Sequence, residues 1–340
     1  MTHRFPVKEI ALQSGLSTAT VDRVLNGRAH VSPQTRQRVK DAIEELVRQE
    51  GQLAAKGRRL FVDIVVEAPA RFSREIRRAS EAVLADFKPA ALRPRFTFAE
   101  TMTEADSVGV LNRIHKRGSQ GVCLKARDTR DVRDAIARLS EKNIPVVTVF
   151  TDIPNSDRLA YAGLNNKRAG MTAAWLMQKL LGPGEQTVLT TLSQHAFQGE
   201  ADRFEAFRSE LQRQRSTITL LDASGGGGLN SATAQEVGET INRRGKIAGV
   251  YSMGGGNMAI LTALEQAGQA PTVFIAHDLD EDNLELLRAE KLTVVLHHDL
   301  NQDMRTAFRH ILAHHGIGEP PSQSESDIQV VTPMNIPARF

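Results

Sequence analysis

Ser14-Gly15-Leu16-Ser17-Thr18-Ala19-Thr20-Val21-Asp22-Arg23-Val24-Leu25-Asn26-Gly27 reads as a tight turn followed by a short helix. Ser17 is an N-cap residue type, and Val21 and Val24 lie three apart on one inward side. Asn26-Gly27-Arg28 breaks the helix. Upstream, Pro6 to Gln13 places Val7, Ile10 and Ala11 on one face of a first helix. Downstream, Ser32-Pro33 joins an N-cap to proline at the first helical position. Val39, Ala42, Ile43 and Leu46 then follow at helical spacing. Residues 1–49 are therefore expected to form an all-α helix-turn-helix head. In such a head the second helix offers short side chains at its start to base edges, and the first braces it. Thr18, Ala19, Asp22 and Arg23 point outward there, and Thr20 and Asn26 suit phosphate contacts. Helix-turn-helix geometry alone leaves a plain helical hairpin open.

Around Glu50 to Arg59 the apolar pattern fades and Gly51 and Gly57 appear, so residues 50–59 read as a linker. From Leu60 onward the rhythm alternates between strand-like runs, such as Phe61–Val66, Gly121–Leu124 and Thr187–Thr191, and amphipathic helical stretches. That alternation predicts parallel sheets with right-handed crossovers. The length exceeds one comfortable core, so residues 60–340 are expected to form two doubly wound α/β lobes. The expected division is 60–161 plus 293–325, and 162–292 plus 326–340.

The 340 residues carry 43 basic and 40 acidic side chains, unevenly spread. The first 59 hold 11 basic against 6 acidic, and the remainder 32 against 34. A basic head on a near-neutral body points to a polyanion as the head's partner. No apolar run approaches the roughly 20 residues of a membrane span. Met1 to Pro6 lacks the apolar segment of a secretory signal. The single cysteine, Cys123, sits in an apolar stretch and fits a reducing compartment. A cytoplasmic protein without a membrane partner is expected.

Val7-Lys8-Glu9-Ile10-Ala11, the Ser14–Gly27 stretch and Val31-Ser32-Pro33-Gln34-Thr35-Arg36-Gln37-Arg38-Val39 together resemble the head of the lactose-repressor (LacI/GalR) family. The resemblance implies a transcriptional regulator, by family default a repressor, acting as a homodimer or higher oligomer on an inverted-repeat operator in double-stranded DNA. It places Thr18, Ala19 and Arg23 at base-reading positions, with Ser17, Thr20, Asn26, Ser32 and Lys56 as further DNA contacts. Asp22 stands where the family usually has serine. The family's Tyr-x-Pro-Asn signature after the third helix is missing, and Gly57 falls where a leucine wedge is expected. Only a changed register would let Leu53 or Leu60 substitute.

The core resembles the same family and the related periplasmic sugar-binding proteins, through Pro145–Asp152, Tyr161–Gly170, Arg203–Phe207 and Ala276-His277-Asp278. Ligands of open α/β sheets sit beyond the carboxyl ends of the strands. Sugars need bidentate polar partners and a flat apolar face. Phe72, Lys125, Asp152, Asn165, Arg203, Asn257, Asp278 and His298 lie at strand ends or loop starts and are the effector-site candidates, for a carbohydrate or polyol. The resemblance puts Asn165, Arg203, Asp278 and His298 at family effector-contacting positions. Trp175, between Leu176 and helical neighbours, is expected in the core.

There is no Gly-x-Ser-x-Gly elbow, and Gly225–Gly228 lacks the ending of a phosphate-binding loop, so an enzyme is not expected. His297 and His298, adjacent on a strand, point to opposite faces and are poorly placed to share a metal ion. No cofactor or metal is implied. The rival reading is a transport-type sugar-binding protein, in which the basic head has no role.

Overall fold

The computed structural model describes residues 4–28, 31–55, 59–88, 90–193, 196–214, 217–241 and 246–338. Three helices make the head: α1 (Val7–Ser14), α2 (Thr18–Leu25) and α3 (Pro33–Ala55). Ile10, Ala11, Val21, Val39, Ala42 and Leu46 form its small core. Ser17 Oγ accepts from Thr20 N at 3.1 Å, and Ser32 Oγ accepts from Thr35 N at 3.1 Å. Both serines thus cap a helix start, satisfying a donor that the helix itself leaves open.

Gly15 ends α1 with φ 63°, a left-handed conformation that turns the chain into α2. Arg38 Nη2 donates to Ser14 O at 2.7 Å and locks this turn onto α3. Gly15→Ala is expected to lower the stability of the head by about 1–2 kcal/mol, the cost of a Cβ in that region. A chemical-denaturation midpoint unchanged from wild type would contradict this.

Helix α3 runs on to Ala55, so most of the stretch expected to be a linker is helical. The sequence there is rich in good helix formers, and extending an existing helix is cheap even with Gly51 at about 1 kcal/mol. Residues 56–58, including Lys56, lie outside the described residues.

The core alternates strands and helices over most of its length. Its first part is β1 (Arg59–Glu67), α4 (Ala70–Ala82), a 3-10 turn (Leu84–Phe87), β2 (Ala91–Ala99), α5 (Glu104–Arg117), β3 (Gly121–Lys125), α6 (Arg130–Glu141), β4 (Val146–Val149) and β5 (Ala160–Leu164). The second is α7 (Asn166–Leu181), β6 (Gln186–Thr191), α8 (Gln198–Arg213), β7 (Ile218–Asp222), α9 (Asn230–Ile241), β8 (Gly249–Ser252), α10 (Asn257–Gln266), β9 (Val273–His277), α11 (Glu281–Arg288) and β10 (Val294–His297). Then come α12 (Leu300–His314), β11 (Glu325–Ser326) and β12 (Gln329–Val331).

One sheet has the order β11-β5-β4-β3-β1-β2, the other β12-β10-β9-β8-β6-β7. All pairs are parallel except β10 with β12. The central strands are apolar almost without interruption because helices cover both faces of each sheet. The expected lobe divisions shift. β5 stays in the first sheet through Leu164, and β10 belongs to the second because it pairs with β9 in register Val294↔Ile275. The chain re-enters the first lobe only with α12, which packs on α4, β4 and β5. It therefore passes between the lobes three times: after β5, before α12, and between β11 and β12. Strand β11, two residues of polar sequence, is invisible to apolar patterning.

Trp175 is 52% exposed and not in the core. α7 turns Ala169, Ala173, Ala174 and Met177 inward instead. Small residues let it lie close to its neighbours. A Cβ on Gly170 would stand 2.2 Å from Arg203 O, so this glycine permits the contact between α7 and α8 that seats Arg203.

Candidate functional site

The carboxyl ends of both sheets face each other across a narrow cleft of ≈ 70 Å³. Phe72, Lys125 and Phe150 come from the first lobe, and Phe197, Arg203, Asp278 and His298 from around the second. Five of the eight effector candidates therefore meet here: Phe72, Lys125, Arg203, Asp278 and His298.

Arg203, buried in α8, is oriented by two acceptors. Its Nε donates to Asn166 Oδ1 at 2.7 Å and its Nη1 to Met253 O at 2.9 Å. Lys125 ends β3. Its ammonium donates to Glu67 O at 2.8 Å and stands 3.8 Å from the centroid of the Phe197 ring, across the cleft. Burial pulls its pKa down, while Glu200 and Glu67 oppose the shift. The Glu67 carboxylate itself is occupied by Arg127 Nε at 3.1 Å. Glu200 accepts from Ser193 N at 2.6 Å and Ser193 Oγ at 2.5 Å, and burial pushes its carboxyl up.

Asp278 follows β9 with φ 64°, and Phe150 follows β4 with φ 65°. Non-glycine residues in this region store about 1–3 kcal/mol of strain each, a pattern concentrated at functional sites. Both side chains line the cleft. Asp278 Oδ1 lies 3.2 Å from His298 Nε2, and it has no well-formed hydrogen bond among the described residues. His298 Nδ1 meets Asp303 Oδ2 at 2.5 Å. Burial alone would lower the His298 pKa, but the carboxylates of Asp303 and Asp278 override it and raise it to about 10. Burial would raise Asp278, yet His298 holds its carboxyl below the ordinary range. Neighbouring His277 contacts the Tyr251 hydroxyl at 2.9 Å and is pushed well below the usual value by burial. At neutral pH the cleft therefore holds one charged and one neutral histidine.

The mouth is tied by Arg71. Its Nε donates to Asp280 Oδ2 at 2.6 Å and its Nη2 to Gly228 O at 2.8 Å, linking α4 to the second lobe. Arg74 Nη2 reaches Glu281 Oε2 at 2.8 Å beside it. Burial raises the Asp280 carboxyl to about 6 against the opposing pull of Arg71. Arg71, Phe197 and Glu200 escaped the sequence reading. They come from first turns of helices or from the loop before one, not from strand ends.

Three candidates do not join the cleft. Asp152 holds Arg158 Nε at 2.5 Å and accepts from Ile153 N, fixing the turn after β4. Asn165 caps α7, accepting from Arg168 N at 3.0 Å, and donates to Glu325 at 2.9 Å. Asn257 is buried and donates to Asn283 Oδ1 at 2.6 Å, bracing α10 against α11. Each satisfies a local need that arises where a strand gives way to a loop or helix.

On the head, Ser17, Thr18, Ala19, Arg23 and Asn26 are exposed together along α2 and its ends, with half-buried Thr20 contacting Ser17 Oγ at 2.8 Å. Asp22 is engaged by Asn26 Nδ2 at 2.8 Å and by Arg28 at 3.6 Å. That leaves the Arg23 guanidinium without an ion pair among the described residues. Ser32 caps α3. Leu60 is buried in the first lobe and is not available as a wedge. Among the described residues, no helix is long and apolar enough to cross a membrane, and no three His, Cys, Asp or Glu are placed to hold a metal ion.

Comparison with known proteins agrees with this division. Residues 81–314 match the periplasmic binding protein domain, and residues 7–47 match the bacterial regulatory proteins of the lacI family. No curated protein matches. Among solved structures, GanP, a glucose-galactose binding protein from Geobacillus stearothermophilus, has TM-score 0.73 at 16% identity, covering 82% of this chain and 99% of its own. A solute binding protein from Burkholderia graminis in complex with D-arabinose has TM-score 0.74 at 19% identity, over 84% and 98%. A candidate LacI transcriptional regulator from Bacteroides fragilis has TM-score 0.68 at 14% identity, over 81% and 97%. These likenesses establish the fold of the core. With a lacI head and a periplasmic-binding-protein core in one polypeptide, the chain belongs to the lacI family of DNA-binding transcriptional regulators.

Proposed function

We propose that this regulator binds its operator as a homodimer and that a small carbohydrate or polyol, held in the cleft, controls the affinity. The observation that carries the reading is the junction of a helix-turn-helix head to a cleft with Arg203 and Asp278 set among the rings of Phe72, Phe150 and Phe197. A guanidinium and a carboxylate pair with adjacent hydroxyls, and the rings supply the flat apolar wall a sugar needs. The related solute-binding folds include proteins that take glucose, galactose or D-arabinose, which favours the same ligand class. A transport-type protein explains the cleft but leaves the head without a purpose.

Thr18, Ala19 and Arg23 are assigned to base edges, with Ser17, Thr20, Asn26 and Ser32 on phosphates. One head makes too few contacts to select a genomic site, so two act on an inverted repeat. The effector shifts the lobes only by its differential affinity for the two arrangements, and release from DNA is the expected direction.

A thermal-shift series over pentoses, hexoses, polyols and sugar phosphates tests the effector class. A ligand at 100 times its Kd adds roughly 2.7 kcal/mol to stability. The active compound is then expected to change anisotropy-measured affinity for a duplex selected from a random library. Arg23→Ala is expected to cost roughly 1–3 kcal/mol of discrimination at one base pair per half-site. Stabilisation by amino acids or nucleobases alone would refute the carbohydrate assignment.

A further inference from the structure

A second cavity, of ≈ 400 Å³, opens at the opposite end of the first lobe, where the strands begin. Arg95, Lys116, Arg117 and Lys142 line it, and none of its described lining residues is acidic. The guanidinium of Arg95 is held by stacking, 4.0 Å over the Phe61 ring, and its Nη1 is buried without an acceptor. Lys116 is exposed and has no ion pair among the described residues.

Part of this charge has a local explanation. Arg117 pairs with the buried Asp63 at 2.5 Å, and Lys142 donates to His115 O at 3.1 Å at the end of α5. The C-termini of α5 and α6 each contribute roughly half a negative charge. Asp63 and the two helix ends together offset about two of the four cations, so the pocket keeps a surplus of about two positive charges. The adjacent β1 starts at Arg59, so the chain enters from the head at this same end.

We propose that this pocket is an anion site that takes a phosphate group, with Arg95 and Lys116 as its ligands. The nearest source of that chemistry is the backbone of the DNA held by the head, an assignment that rests on the regulator reading. A free phosphorylated small molecule is the other source.

Two measurements on the full chain separate them, comparing wild type with Arg95→Gln/Lys116→Gln. The first is the melting temperature in inorganic phosphate or pyrophosphate against chloride at matched ionic strength. The second is the slope of log affinity against log salt on the selected duplex. A phosphate-induced rise in wild type that disappears in the variant supports the site with a free anion as its ligand. A slope shallower by about one unit for each phosphate no longer neutralised supports the site with DNA as its source. If neither quantity differs between the two proteins, the proposal is overturned. Lys116→Gln alone, at an exposed position, gives the same readouts should removal of the Arg95 stack impair folding. Arg23→Ala weakens binding in either case, so failure of the DNA reading is separately visible.

Discussion

Replacing Asp303 by asparagine is expected to cost about 3–5 kcal/mol of stability, because it strips a buried histidinium of its nearest counter-charge. The shape stays nearly the same and an acceptor remains near His298 Nδ1, so the loss reports charge more than packing. Its pH dependence has a definite sign. His298 titrates near 10 in the folded protein, above its ordinary 6.5. Its contribution is therefore fully present below about pH 6.5 and fades as pH rises through 10. Asp278 runs the other way. Its depressed carboxyl favours the fold above the ordinary carboxylate range and loses that effect in acid. Urea denaturation at pH 6, 8 and 10 is expected to show the gap between wild type and Asp303→Asn shrinking toward pH 10. A gap of constant size would mean that His298 is not the charged partner.

Arg203→Lys is expected to weaken the effector response sharply while leaving DNA binding intact. A lysine cannot reach both Asn166 Oδ1 and Met253 O while still offering a donor to the cleft. Hydrogen bonds to charged groups are worth about 1.5–3 kcal/mol, so effector affinity is expected to fall by roughly 10- to 100-fold. The orphaned acceptors add about 1–3 kcal/mol of destabilisation each when buried. Isothermal titration with the compound found in the melting screen, alongside anisotropy on the operator, separates the two effects. Loss of DNA binding at the same protein concentration would show instead that Arg203 supports the whole fold.

The sequence made much of this legible because the same residues serve local and global ends. Ser17, Gly15 and Ser32-Pro33 announce helix boundaries through backbone chemistry alone. Apolar strands separated by amphipathic helices announce two-sided sheets. Strand ends pointed to Lys125, Asp278 and His298, which line the cleft. The same rule misled at Asp152, Asn165 and Asn257, since a strand end is also where a cap or turn anchor is needed. Arg71 was hidden because its partners, Asp280 and Gly228, lie across the cleft and far along the chain. Trp175 was misplaced because α7 meets its neighbours through alanines and a glycine, leaving its largest side chain outside.

The three passages of backbone between the lobes have a mechanical meaning. A single tether would act as a swivel and let each half wander in every direction. Three ties, one of them carrying the return of α12, leave the halves much less of that freedom. A small molecule lodged between them would then bias a restricted motion instead of a free one.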